Sequence, residues 1–427
     1  MEKLMHYLKT AKVNYLAASQ AGKELEEAGF IRLNLQDAWT LQPGGRYFVM
    51  PTDTSVTAFG IPEKRADDSP FFRMLAAHTD QPGLRIKPGD PIGSNGSQRL
   101  NAEIYGGPIY STWMDRPLSL AGQVTLDSGD PFQPEKRLVD LEKPVLQIPN
   151  LAIHMNREEN SGTALNPQTD LLPLAAVGLT EEEEPGQLLP EALASALGVE
   201  ASAILDYDLF AYPTEEPCRV GFREEFLSSP RLDDLVMVYA GLEALVEAPL
   251  SGSVNLLALF DNEEVGSSAI GGANSAMLPL VLEKISLAMG RSREEFLQDV
   301  AGSFLISADV AHAMHPAHPE KHDPVLKTRL GGGPVIKISA SQSYVTRSED
   351  YCVYERLCRQ AGIPVQKFVN RSDSRGGSTI GPALARWVPC RSMDMGIALL
   401  AMHSARELMA AADYDFTKRS FIQYYEM

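Results

Sequence analysis

The sequence has few cysteines and a shortage of basic residues. Four cysteines in 427 residues, none of them in a CxxC pair, exclude a disulfide framework and argue against a cysteine-ligated zinc site. Lys and Arg number 38 against 56 Asp and Glu, and the resulting net charge of −18 disfavours nucleic acid and anionic membranes as partners. No apolar run approaches the roughly 20 residues that a membrane-spanning helix needs, and the N-terminus lacks the apolar centre of a secretory signal. These absences predict a cytoplasmic protein with reduced thiols.

The chain itself has ordinary globular composition, with 44% hydrophobic and 22% charged residues. After about residue 220, apolar strand-like segments alternate with helical ones, which predicts a mostly parallel sheet covered by helices on both faces. Between residues 88 and 219, short β-prone segments are separated by Gly, Pro, Asp and Asn. We therefore predict an α/β fold with a mixed, mostly parallel sheet, formed by residues 1–87 and 220–427 and interrupted by a β-rich insertion at 88–219.

Individual segments give further expectations. The segment LDDLVMVYAGLEALVEA predicts an amphipathic helix, and MGIALLAMHSARELMAAADYDF predicts one continuous closing helix. The four consecutive glutamates at 181–184 are typical of a solvated loop.

Three apolar strands end in acidic or histidine residues, at His78-Thr79-Asp80, at 261–264 and at 309–312. In open α/β sheets the carboxyl edge of the strands is where ligands bind, and buried charges there are unfavourable unless paired or metal-bound. Each end alone could be a polar strand end that contacts solvent. Together they indicate a metal site, because imidazole with carboxylate suits zinc and also manganese or cobalt.

At this point the residues resemble a known family. Seven segments, in this order along the chain, are similar to the aspartyl aminopeptidases, a family of dinuclear zinc peptidases: AAHTDQPGLRIKP, SSPRLDDL, LFDNEEVGSSAIGGANS, SADVAHAMHP, GGPVIKIS, DSRGGSTIGP and LAMHSARE. The resemblance implies a zinc-peptidase-like fold and removal of the N-terminal residue of peptides, with a preference for Asp or Glu. It also implies a homo-oligomer, a dodecamer built from dimers, whose inserted β-rich domain makes the dimer contacts.

The resemblance implies two divalent metal ions, zinc foremost, held by five residues. His78 and Asp309 would bind one ion, Glu264 and His403 the other, and Asp233 would bridge both. Either Asp233 or Asp234 could instead cap the helix that follows. The family pattern selects Asp233 as the ligand, which leaves Asp234 as a solvent-facing or capping residue.

The remaining catalytic roles also come from the resemblance. Glu263 would be the general base, and Asp80 would fix the tautomer of the His78 imidazole.

Two further positions concern substrate binding. The resemblance assigns Lys337 to the side chain of the substrate's first residue, and an ordinary strand lysine is the alternative. The Arg that family members often carry beyond this strand is absent from Ser341-Gln342-Ser343-Tyr344-Val345, which leaves the strictness of an acidic preference open. His154 would reach a neighbouring subunit's active site, unless it is a structural histidine.

The sequence leaves two other functions open. One is a related dinuclear zinc exopeptidase or deacylase of different specificity. The other is a catalytically silent assembly protein that retains the fold.

Overall fold

The structure is a computed structural model that describes residues 1–66, 69–94, 96–178 and 186–427. The glutamates at 181–184, which we predict to form a solvated loop, lie outside the described residues. The chain divides into two compact units: the first comprises Met1–Asp80, Pro217–Met402 and Glu407–Met427, and the second comprises Gln81–Glu216 and His403–Arg406. The sequence-based boundaries were 87/88 and 219/220, and the roles we assign to the two domains stay predictions.

The helices are α1 (Glu2–Thr10), α2 (Asn14–Glu27), α3 (Leu188–Leu197), α4 (Leu232–Glu247), α5 (Met277–Ala288), α6 (Arg293–Ala301), α7 (Ser348–Gln360), α8 (Ile380–Leu384) and α9 (Ala411–Glu426). The strands in the first half of the chain are β1 (Ile31–Arg32), β2 (Arg46–Thr52), β3 (Ser55–Gly60), β4 (Phe72–His78), β5 (Gly83–Ile86), β6 (Ile92–Ser94), β7 (Ser97–Arg99), β8 (Ala102–Tyr105), β9 (Leu118–Leu126), β10 (Glu135–Asp140), β11 (Leu174–Val177) and β12 (Ile204–Pro213). The remaining strands are β13 (Cys218–Val220), β14 (Phe226–Ser229), β15 (Val254–Phe260), β16 (Phe304–Ala308), β17 (Ala311–His312), β18 (Val335–Lys337), β19 (Gln366–Phe368), β20 (Arg391–Gly396), β21 (Ala398–Leu400) and β22 (Glu407–Ala410).

The first unit is built on a mixed sheet. Across the described part of the chain its strand order is β1-β2-β3-β15-β4-β16-β20-β18-β19. The central strands β15, β4, β16 and β20 run parallel to one another. On either side of them the direction reverses, because β3 is antiparallel to β15 and β18 is antiparallel to β20. The α/β fold with a mixed, mostly parallel central sheet is therefore confirmed.

Both faces of this sheet are covered. All seven residues of β15 are buried, with Leu257 and Leu259 in a core shared with α1, α2, α4 and α9, and Leu256 and Phe260 in a core shared with α5, α6 and α8. Alternate residues of a strand face opposite sides, so a strand buried on both sides is apolar throughout. This explains why the sequence shows continuous apolar runs here.

Two helix predictions need correction. The helix α4 forms as expected, but almost every residue in it is buried, so it is a central helix and not an amphipathic surface helix. The predicted closing helix was wrong over most of its length, because strands β20, β21 and β22 precede the real helix α9. Apolar residues at helical spacing also fit buried strands, and strand pairing with β16 and β14 decided between the two.

The second unit is mainly antiparallel β structure. Its larger sheet has the strand order β10-β9-β12-β5-β8, a smaller one has the order β11-β7-β6, and α3 belongs to the same unit. Its own core includes Leu118, Leu120, Val124 and Leu209. The β-rich insertion is thus confirmed as an element of the fold. Within the described ranges of the whole chain, no helix combines the length and apolar character needed to cross a membrane.

Candidate metal centre

Three adjacent parallel strands bring acidic and histidine residues to one edge of the main sheet. His78 is the last residue of β4, Asp309 follows β16, and Glu263 and Glu264 form a turn shortly after β15. In the register between β4 and its neighbours, His78 lies opposite Phe260 and Ser307 lies opposite Ala76. Continuing the second register by two residues brings Asp309 level with His78.

A buried cluster forms at this edge. His78, Asp233, Asp234 and Asp309 each offer one ligand atom, and these atoms all lie within 4.8 Å of one another. The Nε2 atom of His78 is 3.3 Å from Oδ1 of Asp233, and the exposed fractions of the two side chains are 1% and 5%. Ligand atoms of His78, Glu263 and Glu264 form a second group within the same 4.8 Å limit. Within the first unit, the structure therefore brings together four of the five predicted ligands and the predicted base.

The two neighbouring aspartates at the start of α4 have non-helical backbone angles. The amide N–H of Asp233 donates to the buried Glu407 carboxylate at 3.0 Å. The carboxylate of Asp234 accepts hydrogen bonds from the amides of His78 at 3.2 Å and Val310 at 3.3 Å. Asp234 is 0% exposed, so our expectation of a solvent-facing or capping residue was wrong. It joins the ends of β4 and β16, the two strands that carry His78 and Asp309.

Burial and mutual repulsion raise the pKa values of these acidic groups. Burial raises the pKa of Asp234 well above its usual range, against the opposing charge of His78. Burial likewise raises the pKa of Glu263 to about 8, with His78 opposing and Asp309 contributing to the rise. For His78, burial alone would lower the pKa, but the surrounding carboxylates, Asp234 first, raise it well above normal. The packed carboxylates thus favour binding a positive charge.

The turn that carries Glu263 and Glu264 is held by two buried carboxylates. Oδ1 of Asp80 accepts the Glu263 amide at 3.0 Å, and Oδ2 accepts the Glu264 amide at 3.1 Å. Oδ1 of Asp261 accepts the amide of Asn262 at 2.8 Å. Three successive amides at the start of a short 3-10 turn therefore have carboxylate acceptors, which satisfies groups that a helix start leaves unpaired. This arrangement fixes where the two glutamate side chains begin.

Asp80 also contacts His78, as the predicted tautomer role requires. The Nδ1 atom of His78 lies 3.0 Å from the Asp80 carbonyl oxygen and 3.4 Å from its carboxylate. Hydrogen bonding at Nδ1 leaves Nε2 as the nitrogen that faces Asp233. Asp80 thus has a second contact that the sequence did not predict, with the turn of Glu263 and Glu264.

Lys337 is buried beside the cluster. Its ammonium donates to the Val310 carbonyl at 3.0 Å, lies 3.5 Å from the Asp309 carboxylate, and is 5.2 Å from the centre of the Tyr344 ring. Burial alone would lower the pKa of Lys337, but Asp309 and other neighbours raise it above its usual value, so the side chain remains charged. The carboxylate of Asp394, also buried, accepts the Val345 amide and the Thr379 hydroxyl, both at 2.6 Å.

The two remaining predicted residues lie in the second unit. His403 has a left-handed φ of 67°, and its Nδ1 is 3.0 Å from the Gly107 carbonyl oxygen. Its own carbonyl accepts the Ile109 amide at 2.9 Å, which anchors this segment within the unit. His154 lies in an exposed turn between Ile153 and Met155, whose side chains are 42% and 75% exposed.

The donor set fits a divalent metal ion. Four ionisable groups with ligand atoms within 4.8 Å are all buried, and such a group of charges is unfavourable without a compensating cation. One imidazole with several carboxylates suits zinc, and also manganese or cobalt. The number and identity of the ions do not follow from this donor set.

Sequence reasoning assigned no individual role at the site to several polar residues around the cluster: Asn14, Asp234, Asp261, Asp394 and Glu407. Asp234 and Glu407 lie inside the recognised segments RLDD and SARE, so their proximity to ligands was the available signal. Asp394 interrupts the apolar segment SMDMG, which is a signal for a buried charge with a partner. Nothing in the local sequence around Asn14 indicates its contact with Asp261.

A buried imidazole–carboxylate cluster at the carboxyl edge of a mixed sheet is typical of metal-dependent enzymes, and comparison with known proteins defines the family. The family described as "Aminopeptidase I zinc metalloprotease (M18)" matches residues 7–425. A "Probable M18 family aminopeptidase 2" from Clostridium acetobutylicum is 44% identical over 431 residues, which cover 100% of this chain and 98% of the relative. The chain therefore belongs to the M18 family, and the resemblance to aspartyl aminopeptidases is confirmed. It is a metal-dependent aminopeptidase that hydrolyses peptide bonds.

Solved structures agree with this fold. A chain of the structure titled "Cryo-EM structure of the Ape4 and Nbr1 complex" superimposes with a TM-score of 0.94 at 32% identity, over 99% of this chain and 84% of that chain. The structure titled "Structure of S. cerevesiae mApe1 dodecamer" matches with a TM-score of 0.85 at 24% identity, over 99% of this chain and 95% of that one. The second likeness shows the fold alone.

Proposed function

We propose that this aminopeptidase works with two divalent metal ions, zinc foremost with manganese or cobalt as alternatives, and prefers peptides that begin with Asp or Glu. The observation that carries the proposal is the buried cluster of His78, Asp233 and Asp309 beside the Glu263–Glu264 turn. We assign His78 and Asp309 to one ion and Asp233 as the bridge. The resemblance adds Glu264 and His403 as ligands of the other ion.

When bound, the ions would supply Lewis acidity to the peptide carbonyl and to the attacking water. Glu263 takes the proton from that water and delivers it to the leaving amine, which is general acid–base catalysis. Burial raises the pKa of the Glu263 carboxyl, and a carboxylate in such surroundings accepts a proton more readily than an exposed one. Asp80 orients the turn through the amides of Glu263 and Glu264, and the His78 imidazole through Nδ1.

The experiment that tests this function replaces Glu263 by Gln. The amide has the same shape but cannot accept the proton, so we expect kcat to fall by about 10²–10⁴-fold while the bound metal, measured by elemental analysis, stays unchanged. Glu283→Gln on helix α5, whose carboxylate pairs with the exposed Arg293, is the matched control and should retain activity. Normal turnover by the Glu263→Gln variant would refute the mechanism.

The acidic preference rests on Lys337. The Asp309 carboxylate, 3.5 Å away, helps to raise the pKa of the Lys337 ammonium, which keeps it charged beside the metal cluster. We assign this ammonium as the counter-charge to a carboxylate on the first residue of the substrate. Lys337→Met should then reduce kcat/KM for Asp and Glu peptides more than for Leu or Met peptides. An equal loss on every peptide would show that Lys337 serves Asp309 alone. The same panel, with acylated amines added, distinguishes an aminopeptidase of another specificity or a deacylase.

The inserted unit carries an exposed apolar turn. The turn around His154 exposes Leu151, Ile153 and Met155, with exposed fractions of 52%, 42% and 75%, and contiguous apolar exposure is typical of an interaction surface. A fold neighbour is titled a dodecamer. We propose a cytoplasmic homo-oligomer, a dodecamer built from dimers, in which the β-rich insertion makes the dimer contacts and His154 acts in a neighbouring subunit. A stable monomer in light scattering would exclude this assembly.

A further inference from the structure

The turn that carries the catalytic glutamates is connected to the N-terminal part of the chain. Asp261, which accepts the Asn262 amide at the beginning of this turn, also accepts a hydrogen bond from the Nδ2 atom of Asn14 at 3.0 Å. Asn14 and Asp261 are each 6% exposed, and 247 positions separate them in the sequence. A helix far from the metal ligands in sequence thus contacts the segment that places Glu263 and Glu264.

Asn14 is itself firmly placed. It is the first residue of α2, and its Oδ1 accepts the amide of Tyr15 at 3.0 Å, which orients the side-chain amide with Nδ2 toward Asp261. The following residues Ala17, Ala18 and Ala21 are fully buried in the core below the sheet. Because α2 is packed on this side, the Asn14 donor cannot move away without a displacement of the helix.

Asp261 needs this donor because its surroundings are acidic and buried. Asp80, 1% exposed, is close enough for its charge to act on Asp261, and both carboxylates serve amides of the same turn. A buried carboxylate that loses a hydrogen-bond donor is costly and tends to reorient or attract a proton. Reorientation of the Asp261 carboxylate would release the Asn262 amide and shift the two glutamates after it.

We propose that Asn14 is a positioning residue for the Glu263–Glu264 turn, acting through Asp261, so that the N-terminal helix α2 sets the geometry of the catalytic base. This inference rests on the proposed roles of Glu263 as the base and Glu264 as a metal ligand.

The test compares Asn14→Asp and Asn14→Ser with the unaltered enzyme. In Asn14→Asp, a carboxylate of the same shape faces Asp261, so we expect kcat to fall at least about tenfold with KM changed less than about twofold. Metal affinity, measured by competition with a chelator, should weaken by about tenfold because Glu264 lies on the same turn. Asn14→Ser, which is shorter and uncharged, should show a smaller loss in both measurements and guards against a variant that fails to fold.

A reciprocal exchange separates positioning from general destabilisation. In the double variant Asn14→Asp with Asp261→Asn, the amide at position 261 can donate to the carboxylate at position 14 and still accept the Asn262 amide. We expect kcat and metal affinity to return to within about threefold of the starting values, which a merely weakened fold would not do. Gln20→Ala, on the same helix but bonded to Glu24, is the matched control and should change neither quantity.

The outcomes distinguish this inference from the proposed function. A folded Asn14→Asp enzyme with kcat and metal affinity within twofold of normal overturns the role of Asn14, while an inactive Glu263→Gln variant would still uphold the function. If Glu263→Gln stays active, the base assignment fails, and the metal affinity of the Asn14 variants still decides whether α2 positions the turn. Failure of the exchange to restore either quantity also counts against the inference.

Discussion

Charged side chains are used differently in the two units. At the sheet edge of the first unit, His78, Asp233 and Asp234 are at most 3% exposed and lie together. In the second unit, the ion pair between Arg85 and Asp208 joins side chains that are 43% and 40% exposed. Exposed pairs contribute little to stability, whereas a buried group of like charges is unfavourable by itself. The buried cluster is therefore suited to binding a cation, whereas the ion pairs of the insertion are surface features.

The largest expected effect comes from removing bound divalent ions. We expect a chelator to abolish activity and, for ions present at 100 to 1,000 times their Kd, to lower the unfolding free energy by about 3–4 kcal/mol. Hydrogen exchange should show lost protection at the amides of His78 and Val310, which donate hydrogen bonds to the Asp234 carboxylate. Amides of β9 and β12 in the second unit should keep their protection from exchange.

Adding zinc back should restore both activity and protection. If protection were lost equally in the two units, the contrast between a cation-dependent sheet edge and an independent insertion would be wrong.

A smaller effect is expected from a buried carboxylate of the first unit that lies outside the metal cluster. Asp413, 0% exposed, accepts the amides of Gly331 and Gly333, both at 2.8 Å, and burial raises its pKa from 3.8 to about 6. An acid whose pKa is raised on folding contributes stability below its unfolded pKa and loses that contribution as pH rises through the folded value. Between pH 4 and pH 7, Asp413 should therefore reduce the unfolding free energy by about 2 kcal/mol.

The measurement is denaturant unfolding at several pH values. In Asp413→Asn, the uncharged isostere of the protonated acid, this part of the pH dependence should disappear, while Asp415→Asn on the exposed side of the same helix should leave it unchanged. Identical pH profiles for Asp413→Asn and the unaltered protein would contradict the assignment.

The smallest effect is expected for the exposed pair of the insertion. Arg85→Ala should change the unfolding free energy by less than about 1 kcal/mol. In the first unit, Arg291 pairs with Asp299, whose side chain is 6% exposed and also accepts the Ser286 hydroxyl. Arg291→Ala leaves the Asp299 carboxylate buried without its cation, so we expect the unfolding free energy to fall by about 2 kcal/mol. Equal losses in the two variants, measured by denaturant unfolding, would remove the distinction between the units.

The sequence predicted the edge of the sheet well because the signal is local. Strands such as β4 and β15, in which all seven residues are buried, are recognisable from their mainly apolar sequences. The acidic residues follow directly in the chain. The segment around His403 was predicted as a helix, since apolar residues at that spacing fit both a helix and the strands β21 and β22 that form. Only pairing with neighbouring strands distinguishes these possibilities, and such pairing is not a local property.

The sequence by itself determined the alternation of strands and helices, the β-rich insertion and the residue types that bind a divalent ion, because periodicity and composition act over short stretches of chain. Only the tertiary structure decided that Asp234 joins two strand ends, that Asp80 holds the turn of Glu263 and Glu264, and that Asn14 reaches Asp261. The physical reason is that a buried polar atom must find a hydrogen-bond partner, and the partner that is near in space can be far away in the chain.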